Sequence, residues 1–269
     1  MKHVAVDRST KNVLLISVVI VNVYTILSVA DIINTYVEEG WINSMTMLTE
    51  KFSNILQLYV LLHHGILLGY IDNCLSKLNK QLECGEINNK FVYIYYQLTQ
   101  VLQQANVLYG PPIFCVLFCI VLLNSMAGLT IMQFTKLYGF NEFIVLYLVS
   151  NGILLMCISA FLYFVICERV CKTARETRRI ILEYSTTKPE NKEVDMLFQQ
   201  CLVMSLNINI CRMFDLDLNA FFILLVGIFL NAIVLYQIEF GSELKHYSFD
   251  DYEFSDFSFS DFNDIFNEY

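Results

Sequence analysis

Five stretches of this chain contain no Asp, Glu, Lys or Arg: Val13–Ala30, Phe52–Ile71, Phe91–Thr135, Phe143–Cys167 and Leu218–Ile238. About 20 apolar residues suffice to cross the roughly 30 Å hydrocarbon core of a bilayer. A soluble domain of 269 residues, 56% hydrophobic and only 16% charged, could not hide such runs. In lipid, every backbone N–H and C=O must be satisfied within the protein, which leaves helices or closed barrels. These runs are too long for barrel strands and lack their period-two alternation. The expected fold class is therefore all-α: a polytopic transmembrane helix bundle with five spans. The third run is longer than a membrane needs. Its beginning is polar (Tyr96-Gln97, Gln100, Gln103-Gln104, Asn106), which places that span near Pro111–Gln133.

The loops between the runs give an orientation, because basic residues concentrate on the cytosolic side of membranes. Lys2, Arg8 and Lys11 precede the first span, and Lys77, Lys80 and Lys90 follow the second. Arg169, Lys172, Arg175, Arg178, Arg179, Lys188, Lys192 and Arg212 lie between the fourth and fifth. Five crossings put these fourteen of the 17 basic residues on one side and leave only Lys51, Lys136 and Lys245 on the other. The expected topology has a cytosolic amino terminus and an extracellular carboxyl terminus, in the plasma membrane. A signal peptide is an alternative for the first segment, with its basic start and small residues at Ser28 and Ala30.

Several helices should continue beyond the bilayer. Leu75, Leu78 and Leu82 recur at helical spacing in Asp72–Leu82, and the chain from about Asn89 has the same amphipathic look. Glu168–Glu183 reads as a basic helical extension of the fourth span. Thr186–Asn191, with Pro189, is a polar break, and Val194–Ile210 reads as a further helix. Gly110-Pro111-Pro112 removes two backbone donors, and a helix boundary or kink is expected there. Residues 1–240 thus form the membrane domain. The tail Gly241–Tyr269 has eight acidic residues and one lysine, with Phe and Tyr recurring among Ser and Asp, and is expected to be disordered and extracellular.

No glycine-rich phosphate loop, metal-ligand cluster or nucleophile–base arrangement is evident, so no enzymatic activity, cofactor or metal is expected. No nucleic-acid partner is expected either. Cys115/Cys119 and Cys167/Cys171 are spaced four apart, and packing is their expected role in the absence of further ligands. Cys167 and Cys171 fall at the inner interface, where palmitoylation is open to them. His63-His64 lies inside the second span. Intramembrane ionisable groups can mark pathways or ligand sites, but neutral imidazoles hydrogen-bonded within the bundle are the preferred reading. Glu168-Arg169-Val170 is similar to an acidic–Arg motif of G-protein-coupled receptors. The three prolines, Pro111, Pro112 and Pro189, leave no Asn-Pro-x-x-Tyr motif, so an interfacial ion pair is preferred.

In the last span, Ile223, Gly227, Leu230/Asn231, Val234 and Gln237 form one stripe at spacings of three and four. A stripe of small, apolar and amide residues suits a pore wall or a close helix contact.

Cys211-x-x-Phe214-x-x-Asp217, followed by the hydrophobic span and Gln237, resembles the carboxyl-terminal signature of insect gustatory receptors. There C-G-x-F-x-x-D precedes a final helix ending T-Y-h-h-h-h-h-Q-F. Arg212 stands in place of the Gly, Leu230 and Asn231 in place of Thr-Tyr, and Ile238 in place of the last Phe. The resemblance covers the last five of the family's seven spans, about residues 13–240. It implies a gustatory chemoreceptor subunit: a tetrameric, ligand-gated, non-selective cation channel for small-molecule tastants. The final helix would line the pore through Ile223, Gly227, Asn231, Val234 and Gln237. Cytosolic helical extensions, with the helix before the last span, would form a shared anchor. A pocket in the outer half of each bundle would bind the tastant, with Tyr59, His63, Asn124, Tyr147 and Asn151 as its candidate residues. The alternative is a truncated, non-conducting membrane scaffold or accessory protein derived from such a receptor. A transporter or membrane enzyme is a further alternative, which lacks the paired intramembrane acids or catalytic cluster it would need.

Overall fold

The computed structural model describes residues 2–84, 89–139, 153–187, 196, 198–199, 208–211 and 213–247. Five helices dominate: α1 (Lys2–Glu39), α2 (Trp41–Glu83), α3 (Asn89–Tyr138), α4 (Ile153–Thr187) and α5 (Leu218–Tyr247). Two short strands, β1 (Asn209–Ile210) and β2 (Phe214–Asp215), pair antiparallel just before α5. Each of the five helices is long and apolar enough to cross a bilayer, as the charge-free runs require. Glycine closes two of the connections. Gly40 (φ +84°) separates α1 from α2, and Gly139 (φ +74°) ends α3 with its N–H on the Thr135 carbonyl. Both sit in the left-handed region that side chains other than glycine rarely enter.

Cross-helix bonds fix the directions. Asp31–Lys51 (3.4 Å) and Thr10–Asp72 (2.9 Å) make α1 and α2 antiparallel. His64–Tyr163 and Asp72–Thr173 make α2 and α4 parallel. Ser125 donates to the Ile228 carbonyl (3.3 Å) and, farther along both helices, Gly128 packs on Ala232, so α3 and α5 are parallel. The bundle therefore has two parts: α2 packs mainly between α1 and α4, while α3 packs mainly on α5.

α2 and α3, at 43 and 50 residues, exceed what a bilayer needs. At 1.5 Å per residue they are about 65 and 75 Å long. Their surplus forms a helical layer at the basic end, as expected from Asp72–Leu82 and from Asn89 onward. Leu75, Leu78, Leu82, Phe91, Tyr95 and Leu102 are buried there, in one cluster with Ile181, Ile208 and Ile210.

Three expectations need correction or restriction. Pro111 and Pro112 do not end a helix; both lie within α3. The two missing donors free the carbonyls of Val107 and Leu108. Those residues are 73% and 70% exposed at the edge of the apolar stretch, where water can take over the lost bonds. Next, the end of the expected Val194–Ile210 helix is extended, because Ile208 and Ile210 belong to a hairpin. Leu216 N–H bonds the Ile208 carbonyl and Met213 N–H that of Ile210, both at 2.8 Å. Met196, Phe198 and Gln199 are helical, and the rest of that segment lies outside the described residues. Finally, α5 continues past the expected boundary at 240 to Tyr247, since no helix-breaking proline follows Phe240. The remainder of the acidic tail lies outside the described residues.

Close packing at Gly128 makes the α3–α5 pair testable. A Cβ on Gly128 would come 2.8 Å from the Ala232 Cβ, whereas one on Gly227 would meet nothing within 4 Å. Gly128→Ala should destabilise the protein by about 1–3 kcal/mol through overpacking. Gly227→Ala should be neutral or gain up to about 1 kcal/mol of helix propensity. Unfolding midpoints of the purified variants in detergent check the contrast; equal midpoints would contradict the pairing.

Candidate functional site

The most peripheral helix is the most apolar. Only 11% of the apolar stretch of α5 is buried within the chain, against 44% for α4. Phe221 and Ala232 are buried on its inward face, with Leu224, Leu225 and Ile228 packed beside the core. The Phe221 ring lies 5.4 Å from Phe161 and 5.5 Å from Phe164 of α4. The stripe singled out in the sequence points the other way. Ile223 is 72% and Val234 49% exposed, Asn231 and Gln237 are exposed, and the Gly227 Cβ direction is open. An apolar helix face gains nothing by presenting two amides to hydrocarbon, where polar groups lack partners.

The motif residues before α5 direct the chain into it. Cys211 forms the hairpin turn with φ +51°, a region sparsely populated for a residue bearing a Cβ. Its backbone N–H sits against α3 at Gly110, where an added Cβ would come within 3.2 Å of the Cys211 nitrogen. Phe214 lies in β2 and is 39% exposed. Asp217 caps α5: its Oδ1 accepts from the Ala220 N–H at 2.8 Å. Such a cap contributes about 1 kcal/mol. Three of the four motif residues therefore position α5, and only Gln237 lies on its outward stripe.

His63 and His64 are both hydrogen-bonded. His64 is buried, with Nδ1 2.8 Å from the Tyr163 hydroxyl, and its ring stacks on Tyr109 at 4.7 Å. His63 faces outward and bonds the Tyr109 hydroxyl through Nδ1. These tyrosines belong to α4 and α3, so the pair joins three helices.

A small cavity opens between α1, α2 and α4, lined by Leu14, Ser17, Val21, Leu58, Leu61, Leu62, Gly65, Ser159, Tyr163 and Ile166. The Ser159 hydroxyl in its wall is buried without a partner, as are Tyr24 Oη and Ser28 Oγ farther along α1. An unsatisfied buried group costs about 1–3 kcal/mol, which water or a hydrogen-bonding ligand relieves.

Of the expected pocket residues, Tyr59 and His63 lie one turn apart on an outward face of α2. Asn124 is buried elsewhere; it donates to the Ile120 carbonyl and accepts from the Cys157 thiol. It lies on the order of 22 Å along α3 from Tyr109, the partner of His63. Tyr147 and Asn151 lie outside the described residues.

Sequence reasoning missed the cavity-lining Ser17, Ser159 and Tyr163, and also Asp72. The Asp72 carboxylate is buried, accepting from Thr10 at 2.9 Å and Thr173 at 2.6 Å. The signal was available: Leu61, His64, Leu68, Asp72 and Leu75 follow at spacings of three and four on the buried face of α2. Arg169 donates to Thr10 at 3.2 Å, tying it to this cluster. Cys167 and Cys171 are buried, which closes them to acylation in the folded bundle. Among the described residues no group of three or more His, Cys, Asp or Glu is placed to hold a metal.

A family model described as 7tm Chemosensory receptor matches residues 2–241. No curated protein matches the chain.

The His64–Tyr163 bond can be checked directly. Tyr163→Phe leaves His64 Nδ1 buried without its partner and should cost about 1–3 kcal/mol. Tyr59→Phe, at an exposed ring, should stay within about 0.5 kcal/mol. Unfolding midpoints in detergent measure both, and an unchanged Tyr163→Phe midpoint would show that the bond contributes nothing.

Proposed function

Because the chain belongs to the 7tm chemosensory receptor family, we propose that it is a gustatory receptor subunit, a ligand-gated cation channel that opens to small-molecule tastants. The observation that carries this reading is the outward stripe of α5. Asn231 and Gln237 face away from the bundle in an otherwise greasy helix. Amides there call for water or a neighbouring subunit rather than lipid tails. Four copies of the chain around a central axis would supply both, with Ile223, Gly227, Asn231, Val234 and Gln237 lining the pore. A ring of Val234 closes by excluding water, and the Gln237 ring stays hydrated and contacts ions.

The tastant pocket is proposed in the outer half of the bundle, apart from the α1–α2–α4 cavity, which at about 10 Å³ has room only for water on the unpartnered Ser159 hydroxyl. A route of contacts leads from that cavity to α5. Tyr163 holds His64; the neighbouring His63 holds Tyr109; the next residue, Gly110, carries the Cys211 turn; and Asp217 caps α5. On this reading the receptor sits in the plasma membrane with the basic end in the cytosol. The fourteen-to-three distribution of basic residues supports that orientation.

Two measurements test the proposal. Tags at Met1 and after Tyr269, probed on intact cells, should expose only the carboxyl tag; a surface-accessible amino tag would overturn the orientation. Single cysteines along Ile223–Gln237, treated with water-soluble thiol reagents during recording, should block current at Gly227, Asn231, Val234 and Gln237 and spare Leu224 and Ala232. Val234→Ala should raise basal leak, and Gln237→Glu should alter cation permeability. A chain that reaches the surface and assembles yet passes no current under any ligand would instead be the non-conducting accessory protein.

A further inference from the structure

The basic end carries a second feature that conduction does not use. α4 leaves its apolar stretch at Cys167 and continues unbroken to Thr187. Cys167, Val170, Cys171, Ala174, Thr177 and Ile181 are buried on one face of this extension. Lys172, Arg175, Arg178 and Arg179 of the same extension are exposed. Along the helix axis, Lys172 and Arg175 lie about 8 and 12 Å beyond Cys167. The headgroup layer occupies roughly 5–8 Å on each side of the hydrocarbon, and long cationic side chains can fold back to reach it.

Packing brings further cations to this end. Thr10 bonds Asp72 and accepts from Arg169, so the exposed Lys11 lies next to a junction of α1, α2 and α4. Tyr70, two residues before Asp72, is 65% exposed at the same level, the position favoured by interfacial tyrosines. Several acids of the region have partners within the chain. Asp72 is buried under two threonine hydroxyls, and Glu176 and Glu183 hold Arg179 at 2.6 and 3.1 Å. Glu168 is half-buried. Glu83 and Asp215 are exposed but outnumbered by Lys11, Lys77, Lys80, Lys172, Arg175 and Arg178, all exposed.

We propose that this face of α4, with Lys11 of α1 and Lys77 of α2, is a binding surface for anionic phospholipid headgroups. A chain of net charge −9 gains little long-range attraction to an anionic membrane, so the local cluster must supply it. A signal used only for orienting the chain needs cations near the spans in sequence; here Lys11 of α1 comes to the level of Lys172 of α4, and Arg175, Lys77 and Arg178 follow within about 10 Å along the bundle. The proposal rests on α4 crossing the bilayer and is independent of ion conduction.

The test uses the full-length chain, purified in detergent, with phosphatidylserine and phosphatidylcholine of identical acyl chains as probes. Native mass spectrometry should show phosphatidylserine retained about tenfold more tightly, falling as salt rises. The triple variant Lys172→Gln, Arg175→Gln, Arg178→Gln should lose that preference and retain the two lipids equally, while Lys245→Gln at the opposite end changes nothing. Equal retention of the two lipids would overturn the proposal. So would full retention by a triple variant whose unfolding midpoint matches the parent, and so would displacement by millimolar inorganic phosphate, which marks a free-anion site.

Discussion

A carboxylate at the edge of the apolar layer holds this bundle in register. Asp72 is buried where α1, α2 and α4 meet, and its two oxygens take hydrogen bonds from Thr10 and Thr173. A buried carboxylate is tolerated only when its oxygens are satisfied, so neither threonine's helix can slide without exposing that cost. Arg169 reaches the same cluster through Thr10. At the far end of the α1–α2 pair, Lys51, buried inside α2, meets Asp31 at 3.4 Å. Polar ties at both ends therefore set the alignment of helices whose middles offer mainly non-directional apolar contact. The cavity between α1, α2 and α4 lies between these ties, and the cationic face of α4 begins beside one of them.

The second part of the molecule is built differently. α3 and α5 meet through small residues, Gly128 on Ala232, and through the Ser125 hydroxyl on the Ile228 carbonyl. Without a hydrophobic drive between helices in lipid, close backbone approach and single hydrogen bonds become the available attraction. The two parts touch through the His63–Tyr109 and Cys157–Asn124 bonds, the Phe221 contacts with Phe161 and Phe164, and the buried cluster that α2, α3 and α4 share at the basic end.

Much of the fold was legible because lipid enforces a simple rule. Charge-free runs longer than about 20 residues have no structure open to them but a helix, and so all five spans were readable. The leucine spacing past Ile71 likewise gave the α2 extension. What failed were features that depend on which faces meet. Periodicity places Tyr59, His63 and Asn124 on helix faces but cannot say that α2 turns Tyr59 outward while Asn124 is enclosed between α3 and α4. The Ile208–Asp215 hairpin was hidden because its apolar residues continue a helical-looking pattern, and only the Cys211 turn breaks it. Prolines at 111 and 112 suggested a boundary or a kink, and water at the interface allows the helix to continue.

The stripe on α5 was readable for the opposite reason: it is defined by what it does not touch. Its inward face is set by Phe221, Ile228 and Ala232, and the remaining positions are fixed by geometry alone at 100° per residue. This also separates the motif into two jobs. Cys211 and Asp217 act through backbone geometry, one turning against Gly110 and the other capping the first turn of α5. Phe214 completes the hairpin between them. Together they set where α5 starts and hence which way its stripe faces. A one-residue shift in that start would rotate the stripe by about 100° and carry Gln237 out of its outward sector. The hairpin is thus the register device for the last helix, and the sequence constraint lies there rather than along the apolar span, where any well-sized residue packs against α3.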